Sequence, residues 1–104
     1  KDIGPFCACC AAKAGAKHLT KALAVEWAKY NIYVNSISPG YFETPMSKPY
    51  MAIPEVLKTQ IETTPLKRIA QPEELAGAVI YLASEASNFV TGHDLLVDGG
   101  HTVW

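Results

Sequence analysis

Apolar side chains recur every three or four residues between Cys9 and Tyr30, which is the period of a helix with one apolar face. The segment is rich in Ala and Lys and contains no proline, so we predict a long helix over residues 9–30. Its apolar stripe needs a covering surface, because apolar area in water is unfavourable. The stripe consists of Ala12, Ala16, Leu19, Leu23 and Trp27.

A short run of β-branched and aromatic residues follows the helix and predicts a strand over residues 32–38. Pro39 and Gly40 end this strand with a turn. Asn35 is expected to satisfy nearby backbone groups, because a polar side chain in a sheet needs partners. The next segment, residues 41–65, mixes prolines with apolar residues, so we predict a flap with one or two short helices.

A second helix is predicted over residues 72–84. Proline is favoured at a first helical position, and Glu73 and Glu74 suit the positive end of the helix dipole. A compact apolar strand is predicted over residues 93–98 and is followed by two glycines. The order helix, strand, flap, helix, strand is typical of parallel strands joined by a crossover.

Two strands are too few for a parallel sheet, which is normally covered on both faces and flanked by further strands. The 104 residues, 49% of them apolar, can form one small core but leave no room for a second domain. We therefore predict a single partial α/β domain, residues 1–104, whose strands dock on others that the chain does not encode.

Charge and cysteine content exclude several classes of partner. Nine Lys and Arg against ten Asp and Glu give a net charge of -1, without the basic excess that nucleic-acid binding requires. No apolar run could span a bilayer and no signal-peptide pattern is present, so we expect a cytoplasmic protein without a membrane partner. Cys7, Cys9 and Cys10 are expected to be small buried thiols in a reducing compartment, and no metal site is predicted.

An ordered set of motifs resembles the short-chain dehydrogenase/reductase family and covers nearly everything after residue 10. Each motif alone is weak, but their order and spacing together are specific. The helix and the turn after the first strand look most like reductases of sugars and polyols. The set comprises Ala12–Gly15, Leu23–Ala28, Val34–Gly40, Thr44, Pro72–Ala76, Ala78–Ser84 and Val97–Gly100.

The resemblance implies a Rossmann-like, doubly wound parallel sheet in a three-layer α/β/α arrangement, of which this chain is the C-terminal part. It implies NADP or NAD as the cofactor and a small-molecule carbonyl or alcohol as the substrate. The N-terminal nucleotide-binding half, with its Gly-rich phosphate turn, is expected to be absent from this chain.

Lys13 matches the family's catalytic lysine. The resemblance implies that its ammonium hydrogen-bonds the nicotinamide ribose and assists proton transfer from a tyrosine four residues earlier, on the same helix face. Here that position is Cys9. Because a thiol is shorter than a phenol, it cannot reach the same point without movement of the helix. The catalytic pairing of the family is thus incomplete.

The segment from Pro39 and Gly40 to Thr44 resembles the family's backbone beside the nicotinamide. The resemblance implies that the backbone near Phe42 and the hydroxyl of Thr44 hold the carboxamide; the alternative is a turn that merely ends a strand. The flap corresponds to the family's variable substrate lid, and four of its side chains are candidates for an apolar wall or, alternatively, for the core. They are Met46, Tyr50, Met51 and Leu57.

Two functions remain open from the sequence. The first is the C-terminal portion of an NAD(P)(H)-dependent short-chain oxidoreductase that interconverts a carbonyl and a secondary alcohol, inactive as this chain alone. The second is a non-catalytic module that forms a homo-oligomer through the 9–30 helix and the C-terminal segment. A third interpretation is that the irregular stretch Lys1–Cys10 reflects a truncated or mis-joined coding sequence.

Overall fold

The computed structural model describes residues 6–104; Lys1–Pro5, part of the irregular first stretch, lie outside the described residues. The first element, α1, is Phe6–Trp27, and a 3-10 turn at Ala28–Tyr30 extends it. The helix ends because Asn31 adopts the left-handed conformation, with a φ of 58°, and donates its N–H to the Ala28 carbonyl.

The sheet has two short parallel strands, β1 at Ser36–Pro39 and β2 at Asp94–Val97. Ser36 lies opposite Asp94, and Pro39 lies opposite Val97. β1 therefore starts four residues after the predicted beginning of the strand at Ile32. The parallel direction means that both strands end at the same edge of the sheet.

Just before β1, side-chain hydrogen bonds accompany a single backbone bond, in which the Gly92 N–H donates to the Val34 carbonyl at 2.7 Å. The Asn35 amide donates to the Val90 carbonyl at 3.0 Å, and its Oδ1 accepts the His93 N–H at 3.0 Å. The Val34 N–H donates to the Thr91 hydroxyl at 3.1 Å. Regular pairing consequently begins only at the residue after Asn35, which satisfies nearby backbone groups as predicted but lies outside the strand.

The flap contains two helices, α2 at Lys48–Met51 and α3 at Pro54–Thr63, and each has a proline in its first turn. The helix predicted over residues 72–84 consists of two parts. A 3-10 helix at Pro72–Leu75 leads directly into α4 at Ala76–Ala83.

Glu74 connects the start of this second helix to the segment between the flap and the helix. Its carboxylate accepts two hydrogen bonds from Arg68, at 2.6 and 2.8 Å, and one from the Gln71 N–H at 2.8 Å. The bonds from Arg68, followed by the bond from Gln71, lower the pKa of Glu74 to about 2. This contribution to stability is present above the ordinary pKa of 4.5 and is lost as the pH falls toward 2.

Few large apolar side chains are covered within residues 6–104. Ala24 is 3% exposed, whereas Leu19 is 56% and Ile80 is 66% exposed. The radius of gyration is 16.0 Å, against about 13 Å for a compact domain of this length. The apolar faces of α1 and α4 therefore lack the cover that helices flanking a parallel sheet normally have. No helix in the described part of the chain is long and apolar enough to cross a membrane.

Candidate functional site

α1 runs antiparallel to the two strands. Buried Ala24 lies beside Gly92, where an added Cβ would be 3.3 Å from the Ala24 Cβ. Closer to the start of α1, the Lys17 Nζ lies 3.1 Å from the Asp94 Oδ2. Going back along α1 from Ala24 to Lys17 therefore corresponds to going forward along the sheet segment from Gly92 to Asp94. The beginning of α1 thus lies toward the carboxyl ends of the strands.

Lys13 lies one turn beyond Lys17 on the same face of α1, about 6 Å further along the helix axis. This position faces the carboxyl-end edge of the sheet. The Lys13 side chain is exposed and does not line the hollows that open beside the turn after β1. Cys9, one further turn along, is also exposed.

Asp94 links α1 to both strands and was not predicted from the sequence. The Ser36 hydroxyl donates to its carboxylate at 2.8 Å, the Ser38 hydroxyl donates at 2.7 and 2.9 Å, and Lys17 completes the cluster. Burial raises the pKa of Asp94, but the bonds from Ser38, Ser36 and Lys17 together lower it below the ordinary 3.8. The sequence signal for a polar partner was the pair Ser36 and Ser38, which alternate along one strand and therefore share one face of the sheet.

We expect Asp94→Asn to lower the free energy of unfolding by about 1–3 kcal/mol at neutral pH, because three donors lose a charged acceptor. Because the folded pKa is lowered, the stabilisation is present above pH 3.8 and is lost as the pH falls through the folded pKa. Denaturant unfolding at neutral pH and in stronger acid measures both effects, with Glu26→Gln on the exposed side of α1 as the matched control. If Asp94→Asn lowered the free energy of unfolding by the same amount at both pH values, the charge of Asp94 would not be the source of the stabilisation.

A hollow of about 330 Å³ opens where β1 ends. The turn after β1, the flap and the 3-10 helix before α4 form its walls. The hollow brings together all the residues predicted to lie beside the nicotinamide and two of the four lid candidates. These residues are Pro39, Gly40, Phe42, Thr44, Met46 and Met51.

The other two lid candidates do not line this hollow. Tyr50 is 62% exposed, and Leu57 is partly buried in α3. Tyr50 and Met51 are adjacent in the single turn of α2, so their side chains point about 100° apart and only Met51 faces inward.

The backbone of Phe42 faces the hollow. Phe42 pairs with Ala70 in a parallel bridge, in which the Glu43 N–H donates to the Ala70 carbonyl at 2.8 Å and the Ala70 N–H donates to the Tyr41 carbonyl at 3.0 Å. A residue between two such bonds directs its own N–H and C=O to the opposite side. There the Phe42 carbonyl accepts the Ser47 hydroxyl at 2.7 Å, so its N–H points to the hollow side as well.

Ser47 organises this turn and was missed in the sequence. Its hydroxyl accepts the Thr44 N–H at 2.8 Å, while its own N–H donates to the Thr44 hydroxyl at 3.1 Å. Thr44 followed by Pro45 is a typical beginning of a helical turn. That signal, with a serine three residues later, could have identified Ser47.

Gly40 lets the chain pass very close to the end of β2. An added Cβ would lie 2.7 Å from the Asp98 Cα and 2.8 Å from its Cβ. The Gly40 N–H donates to the Val97 carbonyl at 2.9 Å, which fixes the turn against the strand. A side chain at this position is therefore excluded by backbone rather than by a movable group.

Gln60 on α3 brings an unpaired polar atom to the same hollow. Its Oε1 is buried and has no hydrogen-bond partner in the described part of the chain. An unsatisfied buried acceptor costs about 1–3 kcal/mol. A donor group on a bound molecule would remove that cost. The sequence contains no local signal that distinguishes Gln60 from a surface glutamine.

A family model described as Enoyl-(Acyl carrier protein) reductase matches residues 4–102. The ribulose-forming D-arabinitol 2-dehydrogenase of Candida albicans is 49% identical over 105 residues, which cover 99% of this chain and 37% of the relative. The NADH-dependent L-xylulose reductase of Ambrosiozyma monospora is 51% identical over 94 residues, covering 88% of this chain and 35% of the relative.

Solved structures give the same result. A gluconate 5-dehydrogenase from Burkholderia cenocepacia in complex with NADP and tartrate has a TM-score of 0.87 and 41% identity, covering 90% of this chain and 37% of that one. A 4-hydroxyisoleucine dehydrogenase complexed with NADH has a TM-score of 0.87 and 33% identity, covering 90% and 39%. The chain thus spans little more than a third of these relatives. The matches confirm the resemblance of the motif set: the chain belongs to the short-chain dehydrogenase/reductase family and is similar to its sugar and polyol oxidoreductases.

Proposed function

We propose that this chain is the C-terminal portion of an NAD(P)(H)-dependent oxidoreductase that interconverts a carbonyl and a secondary alcohol of a sugar or polyol. The hollow at the end of β1 carries the proposal, because it combines the glycine turn, the Phe42 backbone, Thr44 and the flap methionines in one cavity. The uncovered faces of α1 and α4 support docking on a wider Rossmann-like sheet that includes the nucleotide-binding half.

The residues around this hollow fit a nicotinamide ring with its carboxamide. A carboxamide has one acceptor oxygen and an NH2 donor; the Phe42 N–H offers a donor, and the Thr44 hydroxyl can donate or accept. Pro39 and Met46 provide apolar surface for the ring. When bound, the cofactor supplies or accepts the hydride.

Lys13 would hold the ribose hydroxyls, and its place on the sheet-facing side of α1 supports this role. A cationic ammonium also favours the loss of a proton from a hydroxyl one turn earlier. Cys9 occupies that place, and its shorter side chain leaves the carbonyl oxygen of a substrate without its proton donor. We infer that the chain with Cys9 does not turn over a carbonyl substrate.

The substrate side of the hollow combines apolar and polar walls. Met46 and Met51 provide apolar surface, while the unpaired Oε1 of Gln60 can accept a hydrogen bond from a substrate hydroxyl. A polyhydroxylated chain, which carries a hydroxyl on each carbon and C–H groups between them, suits such a mixed lining.

A hybrid enzyme tests the cofactor site. In it, this chain replaces the matching segment of the Candida albicans D-arabinitol 2-dehydrogenase. We expect the hybrid to bind NADH or NADPH, and Thr44→Val to weaken binding about tenfold, because one hydrogen bond of about 1.4 kcal/mol is lost. Titration of reduced-nicotinamide fluorescence measures the affinity, with Thr59→Val on the exposed side of α3 as the matched control. A hybrid that binds neither cofactor would refute the proposal.

A second candidate function is a homo-oligomeric interaction module, which is favoured by the open stripe on α1. Ala12, Ala16 and Leu19 of the predicted stripe are all exposed, while Leu23 is partly buried. An uncovered apolar stripe marks a surface for association. Antiparallel or parallel packing of α1 against a second copy, together with the C-terminal segment, would cover it.

We expect the chain to sediment as a dimer at micromolar concentration, and Leu19→Lys to shift it toward the monomer, because a charge enters the apolar stripe. Val25→Lys is the matched control, since Val25 is 82% exposed and lies about 160° away from the stripe on the helix. Analytical ultracentrifugation distinguishes the species. A monomeric unmodified chain would argue against this second function.

A further inference from the structure

Three exposed cysteines occupy the beginning of α1. The expectation of small buried thiols is therefore wrong for Cys7, Cys9 and Cys10. The reason is that residues 7–19 are exposed throughout, so no element in the described part of the chain covers this end of the helix. Accessible thiols can react with solutes, and their arrangement on the helix determines which of them can react with each other.

Cys7 and Cys10 are the pair that the helix brings together. Three residues of rise and the helix radius place their Cα atoms about 5 Å apart, within the span of roughly 4.4–6.8 Å that disulfides show. Their Cβ atoms, about 5–6 Å apart in an ideal helix, need to approach to about 3.8 Å. Cys9 points about 100° away from Cys10 and about 200° away from Cys7, so it cannot bond to either while the helix is intact.

The location at the start of α1 favours closure of this pair. The N–H groups of the first four helical residues, Phe6 to Cys9, have no partner within the helix, so a shift at Cys7 strains fewer helical hydrogen bonds than the same shift inside α1 would. The first turn contains no acidic residue, and Lys13 follows three residues after Cys10. Such surroundings attract an anionic oxidant. No three His, Cys, Asp or Glu side chains in residues 6–104 are placed to hold a metal ion.

We propose that Cys7 and Cys10 are a redox pair that glutathione disulfide oxidises to an intrahelical disulfide, while Cys9 forms no disulfide with another cysteine of the chain. One thiolate of the pair attacks a sulfur of glutathione disulfide and releases one glutathione thiolate. The second thiolate then attacks the protein sulfur of this mixed disulfide and releases the other glutathione. The two protein thiols lose two electrons and two protons, and one glutathione disulfide is reduced to two glutathione molecules.

Mass spectrometry of the full chain tests the pair. After incubation with glutathione disulfide and alkylation of the remaining thiols, we expect peptide mapping to show a Cys7–Cys10 disulfide, with the loss of two hydrogen atoms, and a Cys9 that carries only the alkyl group or glutathione. Cys9→Ser should form the same disulfide, whereas Cys7→Ser and Cys10→Ser should give mixed disulfides with glutathione instead. In concentrated guanidinium chloride the selectivity should disappear, because the helix no longer separates Cys9 from the pair.

Several results would overturn the proposal. They are a native disulfide between Cys9 and Cys7 or Cys10, an unselective mixture of such bonds under native conditions, disulfides only between chains, or a Cys9→Ser variant that no longer loses two hydrogens. None of these measurements involves the cofactor site, so the redox pair and the oxidoreductase proposal stand or fall separately.

Discussion

Cys9→Tyr in the hybrid should raise kcat for polyol oxidation by about 10²–10⁴-fold, the usual contribution of a positioned general acid or base. The phenol would lie one turn before Lys13 on the same helix face, so the ammonium could stabilise its ionised form. The thiol of the natural chain lies on the same face but ends closer to the helix axis. The increase in kcat would therefore come from the greater length of the tyrosine side chain, which brings its hydroxyl to the position where a proton donor or acceptor is needed.

Two controls separate this effect from packing. Cys9→Phe introduces the same ring without the hydroxyl and should leave kcat low. In the Cys9→Tyr background, Lys13→Ala should remove the gain, whereas Lys21→Ala, on an exposed position of the same helix, should not. Steady-state kinetics with NAD and NADP measure all four variants. A hybrid with Cys9 that is as fast as its Cys9→Tyr variant would show that the tyrosine position is not limiting.

Gly40→Ala should lower the free energy of unfolding by about 2–3 kcal/mol, because overpacking against rigid atoms costs that much. The new methyl group would lie 2.7 Å from the Asp98 Cα, and neither backbone can move away without breaking the bond between the Gly40 N–H and Val97. The same shift would displace the turn that forms one wall of the hollow, so the hybrid should also lose cofactor affinity.

Gly15→Ala provides the opposite expectation in the same chain. An added Cβ at Gly15 meets nothing within 4 Å, and the residue lies inside α1. Alanine there should raise the free energy of unfolding by about 0.5–1 kcal/mol through helix propensity. Guanidinium unfolding of both variants measures the contrast. Similar stabilities for the two variants would mean that the close approach at Gly40 does not persist in solution.

Local sequence patterns predicted the elements whose formation depends on residues close to one another in the chain. The three- to four-residue period indicated α1, and the proline with two glutamates indicated the start of the second helix, because both signals arise within one or two turns. The first residue of β1 could not be predicted this way. It depends on the bonds of Asn35 to Val90 and His93, which are 55 and 58 residues away.

The candidate site shows the same division. Gly40 and Thr44 were found because a turn after a strand has a recognisable composition and the family spacing connects the two. Asp94 and Gln60 were missed because their importance lies in partners, or in the lack of one, that only the folded chain reveals. The cysteines were expected to be buried because small thiols usually are. They are exposed because no other described element packs against the beginning of α1.

The attachment of α1 to the sheet has a consequence for any assembled form of this protein. The helix is held at Ala24 and Lys17, while residues 7–19 stay in contact with solvent apart from the Lys17 bridge to Asp94. The position of Lys13 is thus set by contacts on one side only, and small rotations of α1 about these contacts would move its ammonium relative to the turn at Gly40. A neighbour that packs along the stripe would remove this freedom, so association and the geometry of the lysine would be established in the same event.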